Sequence, residues 1–367
     1  MATSRSLGAQ MIAEELERRI ARGTVRQGGY LSSVRALSSE FGCAPLTAHR
    51  ALKQLVEKGL AVAEPRHGYR VVIPDSAPKS HEVVVFLEDT RGYESYLGDI
   101  HETQLSVLRR GALARGWISV ALPYDGQPPE VIQRQLREMG GTALILQDVG
   151  ERFPAELPAT LVALGLPTIS LDMASSAAGM DQVLRDEAHG ATLAAEYLIR
   201  KGHRRIGWYG PLRSSINARR RFAGAAEVLF HEGLGVDGQG WREVENATEI
   251  AVARDFLKRA DRPSAVLALW QSAAQALVRA ARECGLQLGQ DLELVGWSLE
   301  EHFAQTYTAG HPELREACAT VTWSMADVGR TVLNRIAERR REPDLPAARV
   351  LLPMKLREPT TQARKRQ

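Results

Sequence analysis

Two short helical stretches and then two short strands follow one another between Leu31 and Ile73, an order that few folds accommodate. Leu31-Ser32-Ser33-Val34-Arg35-Ala36-Leu37 opens a helix that ends at Phe41-Gly42, and after a four-residue turn a second helix spans 47–55 and stops at Gly59. Residues 60–64 and 69–73 alternate as strands, joined by Pro65-Arg66-His67-Gly68, a turn signal with a basic tip. Helix, turn, helix and β-hairpin in that order make a winged helix-turn-helix. A helix of this size fits the DNA major groove, and a basic hairpin tip can follow the adjacent backbone or minor groove.

Charge marks the same segment. Residues 1–80 hold 12 Lys and Arg against seven Asp and Glu, whereas the rest of the chain is slightly acidic and the whole carries +3. A basic head on a near-neutral body is the footprint of a phosphate-binding module. Arg35, Arg50, Lys53, Arg66 and Arg70 are placed to meet phosphates or base edges.

The ordered motif resembles the DNA-binding domain of the GntR family. The shared pattern runs from Ile12, Leu16 and Ile20 through Gly28-Gly29-Tyr30-Leu31-Ser32, Arg35, Leu37, Phe41-Gly42, Thr47, Arg50-Ala51-Leu52, Leu55 and Gly59-Leu60 to the wing glycine Gly68. The resemblance implies that Arg35, Pro45, Leu46, Thr47, His49, His67 and Gly68 lie at the DNA. Pro45 and His49 stand where arginine is frequent, and Ala44 where Ser or Thr usually caps the second helix. Proline at a first helical position is compatible with a helix start.

Residues 74–80, with two prolines and two serines, read as a linker. Beyond it, apolar runs such as Val83-Val84-Val85-Phe86-Leu87, Ile118-Ser119-Val120-Ala121-Leu122, Ala143-Leu144-Ile145-Leu146 and Thr168-Ile169-Ser170-Leu171 alternate with amphipathic stretches, and the pattern repeats from His189 to Gly296. Apolar strands separated by helices predict parallel sheets covered on both faces. Two such sheets predict two lobes, with a cleft at the carboxyl ends of their strands. The expected architecture is therefore α/β, with a DNA-binding head over 1–74, a linker over 75–81 and a two-lobed body over 82–367. Lobe 1 is expected at about 82–181 and 300–324, and lobe 2 at about 182–299 and 325–367, with hinges near 181–183, 298–301 and 323–325.

This body resembles the effector-binding domain of LacI-type regulators, which shares its fold with periplasmic sugar-binding proteins. Gly190, Ala194-Ala195-Glu196-Tyr197-Leu198, Gly202-His203-Arg204-Arg205-Ile206-Gly207, Gly210, Ala218-Arg219-Arg220-Arg221-Phe222-Ala223-Gly224, Arg262-Pro263-Ser264-Ala265-Val266 and Asp291-Leu292-Glu293-Leu294-Val295-Gly296 carry the resemblance. It implies that Arg221 grips a ligand hydroxyl or carboxylate, and that Asn246 and Thr248 touch the ligand from a loop. Trp270-Gln271 stands where Asn-Asp is usual, and Trp297-Ser298 where an aromatic precedes Asp. The usual hydroxyl-accepting carboxylate is thus replaced, and the tryptophans offer flat stacking surfaces for a sugar or ring face. By position, Asp89, Tyr93 and Tyr96 face the cleft from lobe 1, with Asp148 and Asp172 after later strands.

Other function classes leave no signature. No HExxH, no P-loop, no GxGxxG and no nucleophile elbow occurs, so neither a catalytic set nor a metal or cofactor is expected. Cys43, Cys284 and Cys318 form no CxxC pair, which fits a reducing, cytoplasmic setting. No apolar run approaches the roughly 18 residues of a membrane span. The expected partners are a double-stranded DNA operator, a small-molecule effector of sugar type and a second copy of the chain. A DNA-binder without ligand response and a cytosolic solute-binding protein are the alternatives.

Overall fold

A computed structural model of the chain describes residues 8–21, 29–58, 60–64, 67–71, 82–89, 95–148, 151–173, 180–213, 215–235, 241–244 and 246–360. The head comprises α1 (Ala9–Ala21), α2 (Val34–Glu40), α3 (Pro45–Glu57) and an antiparallel hairpin of β1 (Ala61–Glu64) and β2 (Gly68–Val71). Its core is apolar: Ile12, Leu16, Leu37, Ala48, Leu52, Leu55 and Val71 are fully or almost fully buried. Ser33 caps α2 by accepting the Ala36 amide at 3.2 Å, satisfying one of the orphan N–H groups of the first turn. Gly42, at φ 60°, makes the turn into α3. Ala44 offers α3 no side-chain cap, and Pro45 starts that helix instead. The segment before α2 joins the hairpin through Leu31 N to Tyr69 O and Val71 N to Gly29 O, both 2.8 Å. The head is tied to the body by Arg109, which donates to Glu17 at 2.8 Å.

The body runs in order β3 (Val83–Asp89), α4 (Ser95–Leu113), β4 (Ile118–Tyr124), α5 (Pro129–Glu138), β5 (Gly141–Gln147), α6 (Leu157–Val162), β6 (Thr168–Leu171) and β7 (Asp181–Arg185). It continues with α7 (Glu187–Arg200), β8 (Ile206–Gly210), α8 (Ile216–His231), β9 (Trp241–Glu243), α9 (Ile250–Lys258), β10 (Ala265–Ala268), α10 (Gln271–Glu283) and β11 (Glu293–Leu299). The last elements are α11 (Glu300–His302), a π-helical turn over Phe303–Tyr307, α12 (Glu313–Glu316), β12 (Ala319–Trp323), α13 (Met325–Arg341), β13 (Arg349–Leu352) and β14 (Lys355–Arg357). One six-stranded sheet has the order β13-β7-β6-β5-β3-β4 and the other β14-β12-β11-β10-β8-β9. Every pairing in the two is parallel except β12 with β14. The central strands β3, β6, β10, β11 and β12 are buried along their whole length, as expected of sheets covered on both faces.

Strand pairing reverses the expected allotment of 300–323 and of 325–352, while β14 lies in the lobe 2 sheet. β12 pairs with β11, so 300–323 stays in lobe 2, while β13 pairs with β7 and α13 packs on α4, β6 and β7, so 325–352 returns to lobe 1. The chain therefore crosses between lobes at Asp186, at Ser324 and at Pro353-Met354. The expected hinge at Trp323–Met325 coincides with a crossing. The one near Asp181 lies inside β7 and moves to Asp186, and 298–301 is no crossing because β11, α11 and the π turn remain in lobe 2. The crossings are packed together: a Cβ on Gly190 in the first turn of α7 would lie 2.5 Å from Met354 Sδ and 3.1 Å from Val321. At the far end of α7, Gly202 takes φ 90° and His203 bonds Ser264 at 3.0 Å, so the Gly-His pair ends a helix.

Candidate DNA interface and ligand cleft

On the head, the N-terminal half of α3 is bare. Pro45, Leu46, His49, Arg50 and Lys53 are exposed, with Leu46 at 61%, while Thr47 is half-buried and Arg35 on α2 is exposed. His49 meets Tyr69 of the hairpin edge-on at 6.4 Å, and Tyr30 lies 6.4 Å from His67, which sets the hairpin tip beside α3. His67 and Gly68, at φ 100°, are exposed at that tip. Arg70 is half-buried and donates to Glu64 at 2.6 Å, and Tyr30 donates to the same carboxylate at 2.7 Å, so Arg70 braces the wing. Arg66 lies outside the described residues.

The candidate ligand site centres on Arg221, which is 0% exposed. It sits in the second turn of α8, whose start is capped by Ser215 through the Ala218 amide at 3.2 Å. Its Nε donates to Glu187 at 2.6 Å and its Nη1 to the carbonyl of Leu269, while Nη2 is buried without a partner. Three indoles surround the guanidinium, with ring centroids at 4.9 Å (Trp270), 5.0 Å (Trp297) and 5.7 Å (Trp323) from Cζ. These three stand at or next to the carboxyl ends of β10, β11 and β12, where parallel sheets place their sites. Burial lowers the affinity of Arg221 for its proton, and Glu187 opposes that.

Beside this group, Arg185 ends β7 and pairs with Asp172 at 2.9 Å and with Glu187 at 3.5 Å, its guanidinium 4.9 Å from the Trp323 ring. Asp172 is held at φ 51°, a strained value for a non-glycine residue, and burial pushes its carboxyl above the usual carboxylate range. Ser298 donates to Gln271 at 3.3 Å, so the two polar replacements pair with each other. Contacts that bridge the lobes away from the chain crossings include Arg219 of α8 with Glu151, and Thr103 of α4 with His302 at 2.7 Å.

The expected residues are thus brought together in part. Arg221, Trp270 and Trp297 form one cluster; Trp270 is half-buried, whereas Trp297 is buried in the core. Both indoles already face the Arg221 guanidinium. Among the described residues, no hydrogen bond or ring contact joins Asn246 or Thr248 to that cluster, and both are exposed on the loop before α9. Asp89 is buried at the end of β3 with Arg152 at 3.8 Å, and Asp148 accepts the amides of Arg152 and Phe153 at 2.8 and 2.6 Å. Burial raises the Asp148 carboxyl. Tyr93 lies outside the described residues, and for Tyr96 only its place in α4 is described. Glu187, Arg185 and Trp323 were not foreseen. A third tryptophan at a strand end carries the same signal as Trp297, whereas Glu187 shows locally only as part of an acidic helix start.

Two family models match the chain: "Bacterial regulatory proteins, gntR family" over 8–71 and "Periplasmic binding protein-like domain" over 195–360. The chain is similar to the ribose operon repressor of Haemophilus influenzae, 28% identical over 164 residues, covering 44% of this chain and 48% of that one. The match thus spans about half the length of that curated relative. Among solved structures, a LacI-family regulatory protein from Chloroflexus aggregans superposes with a TM-score of 0.63 at 22% identity, covering 76% of this chain and 98% of that one. The transcriptional regulator CelR in complex with cellobiose superposes at 0.62 and 18% identity, covering 96% of this chain and 98% of that one.

Proposed function

From a chain that joins a GntR-type helix-turn-helix head to a periplasmic-binding-protein-like body, we propose a ligand-responsive DNA-binding transcriptional regulator, acting as a repressor whose operator affinity is changed by a small molecule in the inter-lobe cleft. The observation that carries this reading is the pairing of a bare recognition helix beside a wing with a second, separate site at the carboxyl ends of two parallel sheets. Residues 1–74 form the DNA-binding unit, 75–81 the linker, and the body the sensor. The effector is a sugar or sugar-like molecule, supported by the ribose operon repressor and the cellobiose complex among the similar proteins. Arg221 anchors it and Trp270 offers a ring face.

The switch follows from the chain path. Three crossings at Asp186, Ser324 and Pro353-Met354 let the lobes move as rigid bodies, with Arg219–Glu151 and Thr103–His302 made or broken across the gap. The ligand biases the head only by its differential affinity for the two lobe arrangements. A 100-fold preference is worth about 2.7 kcal/mol, enough to change operator occupancy greatly. Two heads in a homodimer would read a roughly palindromic site. The test is fluorescence anisotropy of the full chain on an operator obtained by selection from random DNA, titrated with a panel of pentoses, hexoses and disaccharides. Sequence-specific binding that shifts with one of them is the expected outcome. Failure to select any sequence would overturn the reading.

A further inference from the structure

The charges around Arg221 do not balance. Arg185 is paired with Asp172 and Arg221 with Glu187, which uses both carboxylates of the cluster. Arg220, the neighbour of Arg221 on α8, is half-buried with its Nη1 fully enclosed and without a hydrogen-bond partner. The charged groups acting on it are Arg349, Asp172, Glu187 and Arg185. Arg349 opens β13, in register with Gln182 on β7, and belongs to lobe 1, whereas Arg220 belongs to lobe 2. Among the described residues, no carboxylate pairs with Arg220 or Arg349. A like charge of lobe 1 therefore acts on a partly desolvated guanidinium of lobe 2, an arrangement that costs free energy unless something neutralises it.

The hydrogen-bonding inventory leans the same way. Arg220 Nη1, Arg221 Nη2, Trp297 Nε1 and Trp323 Nε1 are buried donors without partners. The unpartnered buried atoms that can only accept are, in this neighbourhood and among the described residues, Asn217 Oδ1, one turn before Arg221, and Glu187 Oε1, which has only the 3.5 Å ion pair with Arg185, while the hydroxyls of Ser272 and Thr322 can serve either way. A neutral sugar hydroxyl donates as readily as it accepts; a phosphate or carboxylate only accepts when ionised, and planar guanidinium groups suit it.

The geometry points to an effector that carries an anionic group, a phosphate or a carboxylate, held between Arg220 of lobe 2 and the Arg349 edge of lobe 1. This inference rests on the regulator reading above and narrows its ligand class from sugars to their phosphorylated or acidic derivatives. Neutralising the facing arginines is also a differential interaction, because an anion bridging both lobes favours the closed arrangement over the open one.

The experiment uses the full chain at constant ionic strength, by thermal shift and isothermal titration, with inorganic phosphate, glucose, glucose 6-phosphate and glucuronate as probes. The expected result is stabilisation by at least one anion beyond that given by chloride, weakened about tenfold or more in Arg220→Gln. Arg349→Gln, at an exposed position, should weaken it as well and guards against a folding defect at the half-buried site. Phosphate arms that bind while glucuronate does not would assign the group to phosphate, and the reverse to carboxylate. If no anion stabilises the chain, or if glucose binds as well as its anionic partners with both variants unchanged, the inference is overturned. Operator binding that still responds to a neutral sugar would leave the regulator reading standing.

Discussion

At the residue scale the cleft depends on one buried ion pair. Arg221 and Glu187 are both 0% exposed and 2.6 Å apart, and neither has water to fall back on. Removing one partner of such a pair leaves the other charge uncompensated, at a cost of about 3–5 kcal/mol. Glu187→Ala is therefore expected to lower the unfolding free energy by roughly that amount, measured by urea denaturation. A change under about 1 kcal/mol would mean that Trp270, Trp297 and Trp323 alone stabilise the guanidinium. Arg221→Ala carries a similar penalty, so the loss of effector response expected from the proposed anchor role is to be read beside a melting curve. The sequence singled out Arg221, Trp270 and Trp297 because family motifs and strand-end tryptophans are local signals. It did not single out Glu187, which becomes a partner of Arg221 only when α7 and α8 pack together 34 positions apart in sequence.

At the scale of elements, that same helix pair has no room to spare. A Cβ on Gly224 of α8 would lie 2.1 Å from the carbonyl oxygen of Ala188 in α7, a backbone atom that cannot rotate away. Gly224→Ala should push the two helices apart and cost more than the roughly 1–3 kcal/mol of ordinary overpacking, read as a lowered melting temperature. Unchanged stability would show that the helices slide freely. On lobe 1, Asp181 at the start of β7 fixes the returning C-terminal segment: it accepts from Arg339 at 2.7 and 3.0 Å, from Arg335 at 3.1 Å and from the Ala348 amide at 2.7 Å. Burial alone would raise this carboxyl, but the arginine and amide bonds outweigh it and hold it below the usual carboxylate range. A carboxyl whose folded pKa is depressed stabilises the fold above its unfolded value, near 4, and loses that contribution as pH falls through the folded value. Wild type should thus lose stability between about pH 4 and the depressed folded value more steeply than Asp181→Asn, in denaturant titrations at stepped pH. Parallel slopes would rule out Asp181 as a source of acid sensitivity. The long strands and amphipathic helices of both lobes were legible as alternation, whereas the allotment of 300–367 was not. β13 and β14 have four and three residues, and β13 buries no residue fully, so their local pattern does not say which sheet they join. Long-range register decides that.

At the scale of the whole molecule, regulation requires that the head read sequence and not merely charge. The exposed face of α3 offers both kinds of interaction, with Arg50 and Lys53 as cations and Leu46 as an apolar side chain left 61% exposed beside Pro45. Phosphate contacts supply salt-dependent, sequence-independent affinity, while apolar contact in the major groove suits the thymine methyl group. The two roles separate in one experiment, the affinity of each variant for a selected operator and for a mismatched duplex across a range of salt. Arg50→Ala should weaken both duplexes alike and flatten the dependence of log K on log salt by about 0.9 for each phosphate no longer neutralised. Leu46→Ala should leave that slope unchanged and weaken the operator alone, by about 1–3 kcal/mol for one base pair no longer read. If two heads read a palindromic site, as proposed, each change enters twice, so the effects on the full site should be about double those on a half-site. Equal slopes for wild type and Arg50→Ala, or a Leu46→Ala variant that weakens operator and mismatched DNA equally, would remove α3 from the groove and leave the basic head as a charge patch alone.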